Sequence, residues 1–186
     1  MKQIVNYINE KLHVTSKSFY TCQPKTKDDL QESIIQRIQD DGQECNLNDI
    51  DVSKITDMSD LFNANQFVNG GHKIFDDFNG DISLWDVSHV TNMTRMFDWC
   101  RQFNCDLSRW NVSNVKNMKY MFNSCVKFNC DLSDWDVSNV KNIEAMFYGC
   151  KNFNQNLDEW NISNVKTMFQ AFKYCPTQPE WYEWNK

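Results

Sequence analysis

The sequence predicts an α/β repeat solenoid, with one short helix and one short extended segment in every 25-residue rung. Three observations predict it. Trp85, Trp110, Trp135 and Trp160 fall at a strict spacing of 25, and Val87, Val112, Val137 and Ile162 keep step with them, as do Phe97, Phe122, Phe147 and Phe172. The residues between them carry an apolar spacing suited to a short helix. A polar-backed helical segment precedes the array, as an end cap requires. A fixed period between about 20 and 50 residues marks stacked repeats, since one repeat cannot bury its apolar face alone.

Within the third copy, "FNCDLSRWNVSNVKNMKYMFNSCVK", Val115, Met118, Phe122 and Cys125 follow i, i+3, i+7 and i+10, with Met121 flanking. On a helix these fall on an arc of about 120°, and Ser113 stands where a cap belongs. Trp110 and Val112 are two apart and suit one face of a short strand, although the Asn or Asp between them is disfavoured in strands. The Phe-Asn pairs at 103/104, 128/129 and 153/154 read as turns, their asparagines a buried ladder for turn backbone groups. Helices on one side and extended segments on the other make a curved stack. Extended or single-turn segments on both sides make a nearly straight one.

Residues 1–44 form the predicted N-terminal cap. Ile4, Tyr7, Ile8 and Leu12 make a weak helical stripe. After Pro24, Thr26 and Asp29 read as a capping box, Leu30, Ile34, Ile35 and Ile38 share one helix face, and Gly42 is the stop. Residues 45–175 hold about five rungs. The first is degenerate: Ile50 takes the tryptophan slot, with Val52, Ile55, Met58 and Phe62 in the other core slots. Ile50 to Trp85 is 35 residues rather than 25, so about ten residues are inserted, near 66–77. Residues 176–186 form a C-terminal cap, in which Pro176 and Pro179 break the pattern and Trp181, Tyr182 and Trp184 are available to cover the last layer.

The chain's 186 residues suit one domain with a substantial core. A net charge of −6 and pI near 5.0 argue against a phosphate-tracking surface, so no nucleic-acid partner is expected. No apolar run approaches a membrane span, and "MKQIVNYINEKLHV" is too polar for a signal peptide. Cys22 follows no apolar segment of a lipoprotein anchor. A cytoplasmic location is the expectation. The eight cysteines follow the repeat, Cys100, Cys125, Cys150 and Cys175 in one column and Cys45, Cys105 and Cys130 in another. The second column continues through Gly80 and Gln155, which cannot replace thiolates, so packing is expected rather than zinc. No metal or cofactor is expected.

The tryptophan, the V-S-N-V run, the Met-Phe pair and the cysteine together resemble the 25-residue repeat of BspA-like proteins. The resemblance covers roughly residues 45–175 and implies a right-handed, leucine-rich-repeat-like solenoid without catalytic activity. Members of that family are often surface or secreted proteins, adhesins among them.

Candidate chemistry is sparse. His89 fills a slot held elsewhere by Asn114, Asn139 and Asn164, so it is a repeat variant. His72 lies in the inserted loop near Asp76 and Asp77, the seat of an alternative reading as an enzyme or metal-dependent domain. The column Asp86, Asn111, Asp136 and Asn161 is expected to bond neighbouring rungs rather than calcium. The stronger signal is variation on outward slots of the helical segments. Trp99, Tyr120, Tyr148, Phe169 and Tyr174 place aromatics there, with Arg95 and Asp98 beside them, and tyrosine, tryptophan and arginine anchor protein interfaces. The reading is a non-catalytic protein-recognition scaffold whose partner, another protein or a second copy of this chain, docks on Arg95, Asp98, Trp99, Tyr120, Tyr148, Phe169 and Tyr174. A surface, adhesive or self-assembling module is a further alternative.

Overall fold

A computed structural model describes residues 20–65 and 73–182. Among them the single helix is α1, Lys27–Asp41, and β pairing outside it is limited to isolated parallel bridges. The expected α/β solenoid, with its leucine-rich-repeat-like helix and strand in each rung, is therefore corrected. The rungs are built from turns.

The third rung shows how. N–H groups of Trp110, Val115, Met121, Asn123, Cys125 and Phe128 each donate to the carbonyl three residues earlier, at 2.9–3.2 Å. Tyr120 and Ser124 have left-handed backbones, φ 57° and 58°, and the equivalent positions do the same: Arg95 and Trp99, Ala145 and Gly149, Gln170 and Tyr174. Two left-handed residues four apart stop any helix from propagating. Ser113 is not a helix cap; its N–H bonds Asn111 Oδ1. Such Asx turns form three corners of the rung, at Asp106–Ser108, Asn111–Ser113 and Asn117–Lys119. The Asp86, Asn111, Asp136 and Asn161 column thus bonds its own rung rather than the next.

A left-handed L-residue costs roughly 1–2 kcal/mol, so some other interaction must offset eight of them outside glycine. That interaction is a ladder along the stack. N–H groups of Met118, Tyr120, Phe122 and Ser124 donate to the carbonyls of Asn142, Glu144, Met146 and Tyr148 in the next rung. The same four bonds recur at every junction from the first rung to the fifth, all at 2.7–2.9 Å. The peptides between them close the in-rung turns. These four ladder peptides all point one way, whereas a β-strand alternates; the sense reverses at Lys116, to whose carbonyl the Lys141 N–H donates back, and the bridges stay isolated.

Side chains repeat the same register. Phe62, Phe97, Phe122, Phe147 and Phe172 stack at 5.1–5.6 Å between ring centres. Phe78, Phe103, Phe128 and Phe153 form a second column at 5.9–6.0 Å. Each Trp Nε1 donates to a carbonyl of the preceding rung, Trp110 to Ile82 and Trp135 to Leu107. Trp110 is buried and its ring meets Phe97 at 6.4 Å. Each repeat tryptophan meets the phenylalanine of the preceding rung in this way. The Phe-Asn ladder is present, with Asn104 and Asn129 N–H bonding Asn79 and Asn104 Oδ1, but at surface rather than buried positions.

The insertion is located by register. Ala64 pairs with the Asp98 carbonyl, and Phe75 closes the turn to Phe78 that Cys100 closes to Phe103, so residues 65–74 are the added ten. At one end α1 covers the first rung. Its capping box is formed by Thr26 and Asp29, its C-cap is Gly42 at φ 86°, and it buries Leu30, Ile34 and Ile38. At the other end Trp181 imitates a repeat tryptophan: its Nε1 donates to Leu157 and its ring stacks on Trp160 at 6.4 Å. The stripe of residues 1–12 and Trp184 lie outside the described residues.

Truncating Trp110 to alanine removes a buried ring and one of the two donors to the Ile82 carbonyl, which keeps the Trp85 N–H. The expected loss is about 3–5 kcal/mol in denaturant melts. A loss under about 1 kcal/mol would show that the tryptophan is not core.

Candidate interaction face

The ladder fixes a face, because side chains of residues between the bonded peptides stand outside it at the same slots in each rung. One slot column runs Thr94, Lys119, Glu144, Phe169; the next runs Arg95, Tyr120, Ala145, Gln170. The backbone is common to all, and the side chains differ.

On this face the structure joins some predicted residues and separates others. The Arg95 guanidinium lies over the Tyr120 ring at 5.3 Å, and Lys119 Nζ is 5.2 Å from the same ring. Lys119 pairs with Glu144 at 2.9 Å, and the Tyr120 hydroxyl donates to Glu144 Oε1 at 3.3 Å. Tyr148 meets Tyr174 edge to face at 5.2 Å, and Lys173 Nζ lies 5.2 Å from the Tyr174 ring. Tyr174 is 61% exposed and Phe169 47%. Trp99 is half-buried against the core with the Arg101 guanidinium over it at 4.9 Å. Asp98, read as outward, is only 5% exposed. Ala145, also in an outward slot, is buried.

Asp98 accepts Asn123 Nδ2 at 2.6 Å and Asn65 Nδ2 at 3.3 Å. Burial pushes its carboxyl above the usual range, against the pull of those amides and of Arg95. It belongs beneath the face, bracing two rungs. Lys119, Glu144, Arg101 and Lys173 were not singled out from the sequence. Their signal was position: Lys119, Arg101 and Lys173 sit one or two positions from a predicted aromatic, and Glu144 shares the varied outward column of Lys119 and Phe169.

The other candidates supply no second centre. Cys100, Cys125, Cys150 and Cys175 each direct Sγ at a phenylalanine carbonyl of the preceding rung, 2.9 Å away. Burial pushes the first three thiols well above their ordinary value and Cys175 up to about 12. Cys105 and Cys130 are pushed up to about 11, again by burial. Among the described residues no group of three or more His, Cys, Asp or Glu is arranged to hold a metal ion. His72 lies outside the described residues. A polar hollow of about 200 Å³ between Gln155, Asp158, Thr177 and Pro179 has its Asp158 carboxylate already occupied by the Glu180 N–H. No helix among the described residues is long and apolar enough to cross a membrane.

A family model described as Mycoplasma protein of unknown function, DUF285, matches residues 31–76 and 70–184. No curated protein matches, and no solved structure does.

Two outcomes check this account of the face and what lies under it. The folded protein holds the Asp98 proton more tightly than the unfolded chain does. Its contribution is therefore full at about pH 3 and lost as pH rises through the raised value. Asp98→Asn should accordingly be near neutral in acid and stabilising at pH 7, read as Tm against pH; equal effects at both would contradict the buried carboxyl. Thiol reagents at neutral pH should leave Cys100, Cys125 and Cys150 unlabelled until denaturant opens the stack, and labelling of the native protein at the rate of a free peptide thiol would contradict their burial.

Proposed function

The chain belongs to the DUF285 family of proteins of unknown function, a premise that carries no activity with it, and from the surface itself we propose a non-catalytic scaffold that recognises a protein partner. The observation that carries the reading is the group formed by Arg95, Lys119, Tyr120 and Glu144, cations and a carboxylate gathered around one tyrosine ring. Each backbone in it is fixed by two sets of bonds, within the rung and along the stack. Side chains presented this way lose little freedom on contact, which lowers the cost of binding. Arginine and tyrosine are the residues that dominate measured interface energies.

The tryptophan, V-S-N-V, Met-Phe and cysteine pattern supports a relationship to BspA-like repeats, proposed here for the sequence pattern alone. The buried cysteine columns suit a reducing compartment, and we place the protein in the cytosol on that ground.

The test compares wild type with an Arg95→Ala/Tyr120→Ala double variant as bait against lysate of the source cell. Alanine suits this column, because Ala145 already occupies it at φ 50°. A specific protein retained by wild type should bind the variant about 1–3 kcal/mol more weakly at unchanged Tm. Equal retention by both proteins would move the binding surface elsewhere.

A further inference from the structure

The net charge of −6 is unevenly spread around the rungs. In the rungs 77–101, 102–126, 127–151 and 152–176, the first fourteen positions together hold nine Asp or Glu and two Lys or Arg. The last eleven positions, which include the ladder, hold eight Lys or Arg and two Asp or Glu. Of those two acids, Asp98 is buried and Glu144 pairs with Lys119. Inward side chains of the two stretches meet across the core, as Phe122 meets Trp135 at 6.4 Å, so their outward side chains face opposite ways. One side of the stack is therefore anionic and the other cationic.

Construction accounts for the anionic side. Its aspartates make Asx corners, where Asp81, Asp106 and Asp131 each accept a serine N–H two residues on. Hydrogen bonds from Ser108 and Ser133 hold the Asp106 and Asp131 carboxyls below the usual carboxylate range. Construction does not account for the cationic side. Lys116, Lys141 and Lys166 stand exposed in one column, and backbone bonds join each to the next, Lys141 N–H to Lys116 O at 2.9 Å and Lys166 N–H to Lys141 O at 2.8 Å. Like charges set directly opposite each other on paired backbones repel. Among the described residues the ion pairs are those of Arg37 and Lys119, so no described carboxylate pairs with this row.

The complement to this row is carried by the chain itself. Each rung bears both sides, so carboxylates and lysines repeat at one common rise, and two stacks laid side by side match rung for rung. Exposed apolar groups accompany both charges: Leu84 lies on the anionic side, and Phe169 and Tyr174 on the cationic side. Like net charge does not forbid the contact. At physiological salt charges act over only about 8 Å, so the facing surfaces decide rather than the whole molecules. We infer that the side bearing Lys116, Lys141 and Lys166 docks on the anionic side of a second copy. The two sides face opposite ways, so the contact is heterologous and each added copy leaves a further side open. This deepens the protein-recognition reading by naming the partner, and it rests on that reading for the use of the ladder side.

The test is sedimentation velocity of the full chain over a range of concentrations, at about 0.1 M and about 0.5 M salt. Average mass should rise with concentration beyond that of a dimer at the lower salt and stay monomeric at the higher. Lys116→Gln/Lys141→Gln/Lys166→Gln should weaken association about tenfold or more at unchanged Tm. Lys116→Glu/Lys141→Glu/Lys166→Glu should be monomeric at both salts. So should Asp134→Lys/Glu159→Lys, whose side chains are exposed and outside the Asx corners. Mixing these two charge-reversed proteins should restore association, which misfolded variants would not do. A wild type that stays monomeric at every concentration and salt would overturn the inference, while capture of a different protein through Arg95 and Tyr120 would still stand on its own experiment. Association that survives 0.5 M salt, or that the mixture fails to restore, would overturn it as well. So would an oligonucleotide that binds the monomeric wild type and not the lysine variants, which would assign the row to nucleic acid.

Discussion

Everything in this chain depends on one alignment: every second peptide between Asn117 and Ser124, and its equivalents in other rungs, points along the stack. Four N–H groups per rung then meet four carbonyls of the next. The peptides between them lie within the rung and close three-residue turns. No helix or strand satisfies both sets of bonds, because a helix points all its peptides along its own axis and a strand alternates them across it. Left-handed residues at Arg95, Tyr120 and Ala145, and at Trp99, Ser124 and Gly149, are what the alternation demands of the backbone. Strain of this kind is often a mark of function. Here it recurs in every rung, so it belongs to construction.

The side-chain columns follow from the same alignment. A fixed inter-rung bond sets a fixed rise, and any side chain then faces its own equivalent. Phenylalanine suits that arrangement, since parallel offset rings at 5–6 Å are a favourable geometry, and both phenylalanine columns adopt it. Trp Nε1 and Cys Sγ reach back to carbonyls that already close turns, such as those of Ile82 and Phe97, and add a second bond there, while the Asn114, Asn139 and Asn164 amides reach the carbonyls of Ser88, Ser113 and Ser138. Gly80 shows the tolerance: a Cβ there would stand 2.6 Å from the Cys45 carbonyl. The ten-residue insertion leaves this order intact because it falls between two slots, after Ala64 and before Phe75.

The period, the core residues, the degenerate first rung and α1 with its capping box were legible, because all of them are written in apolar spacing and local capping chemistry. The rung's secondary structure was misread for a physical reason. Turns that step three or four residues bring Val115, Met118, Phe122 and Cys125 inward with the spacing of a helix, and all four are fully buried here. Apolar spacing records which side chains face inward; it does not record where the peptide bonds point. The asparagines and aspartates that weakened the strand expectation were the better guide, since they mark the Asx corners. Asp98 was misplaced by the same limitation. Its slot varies as Asn63, Asp98, Asn123, Tyr148 and Lys173, and variation reads as exposure until the Asn123 and Asn65 amides are seen to close over it.

A frame held by backbone bonds leaves its surface free to vary. Thr94, Lys119, Glu144 and Phe169 share one slot and one backbone pattern, yet one column offers a hydroxyl, a cation, an anion and an aromatic ring. Substitution there alters the surface without altering the stack, whereas substitution of Phe122 or Trp135 disturbs two neighbouring rungs at once. This separation lets a repeat array present different chemistry on one scaffold.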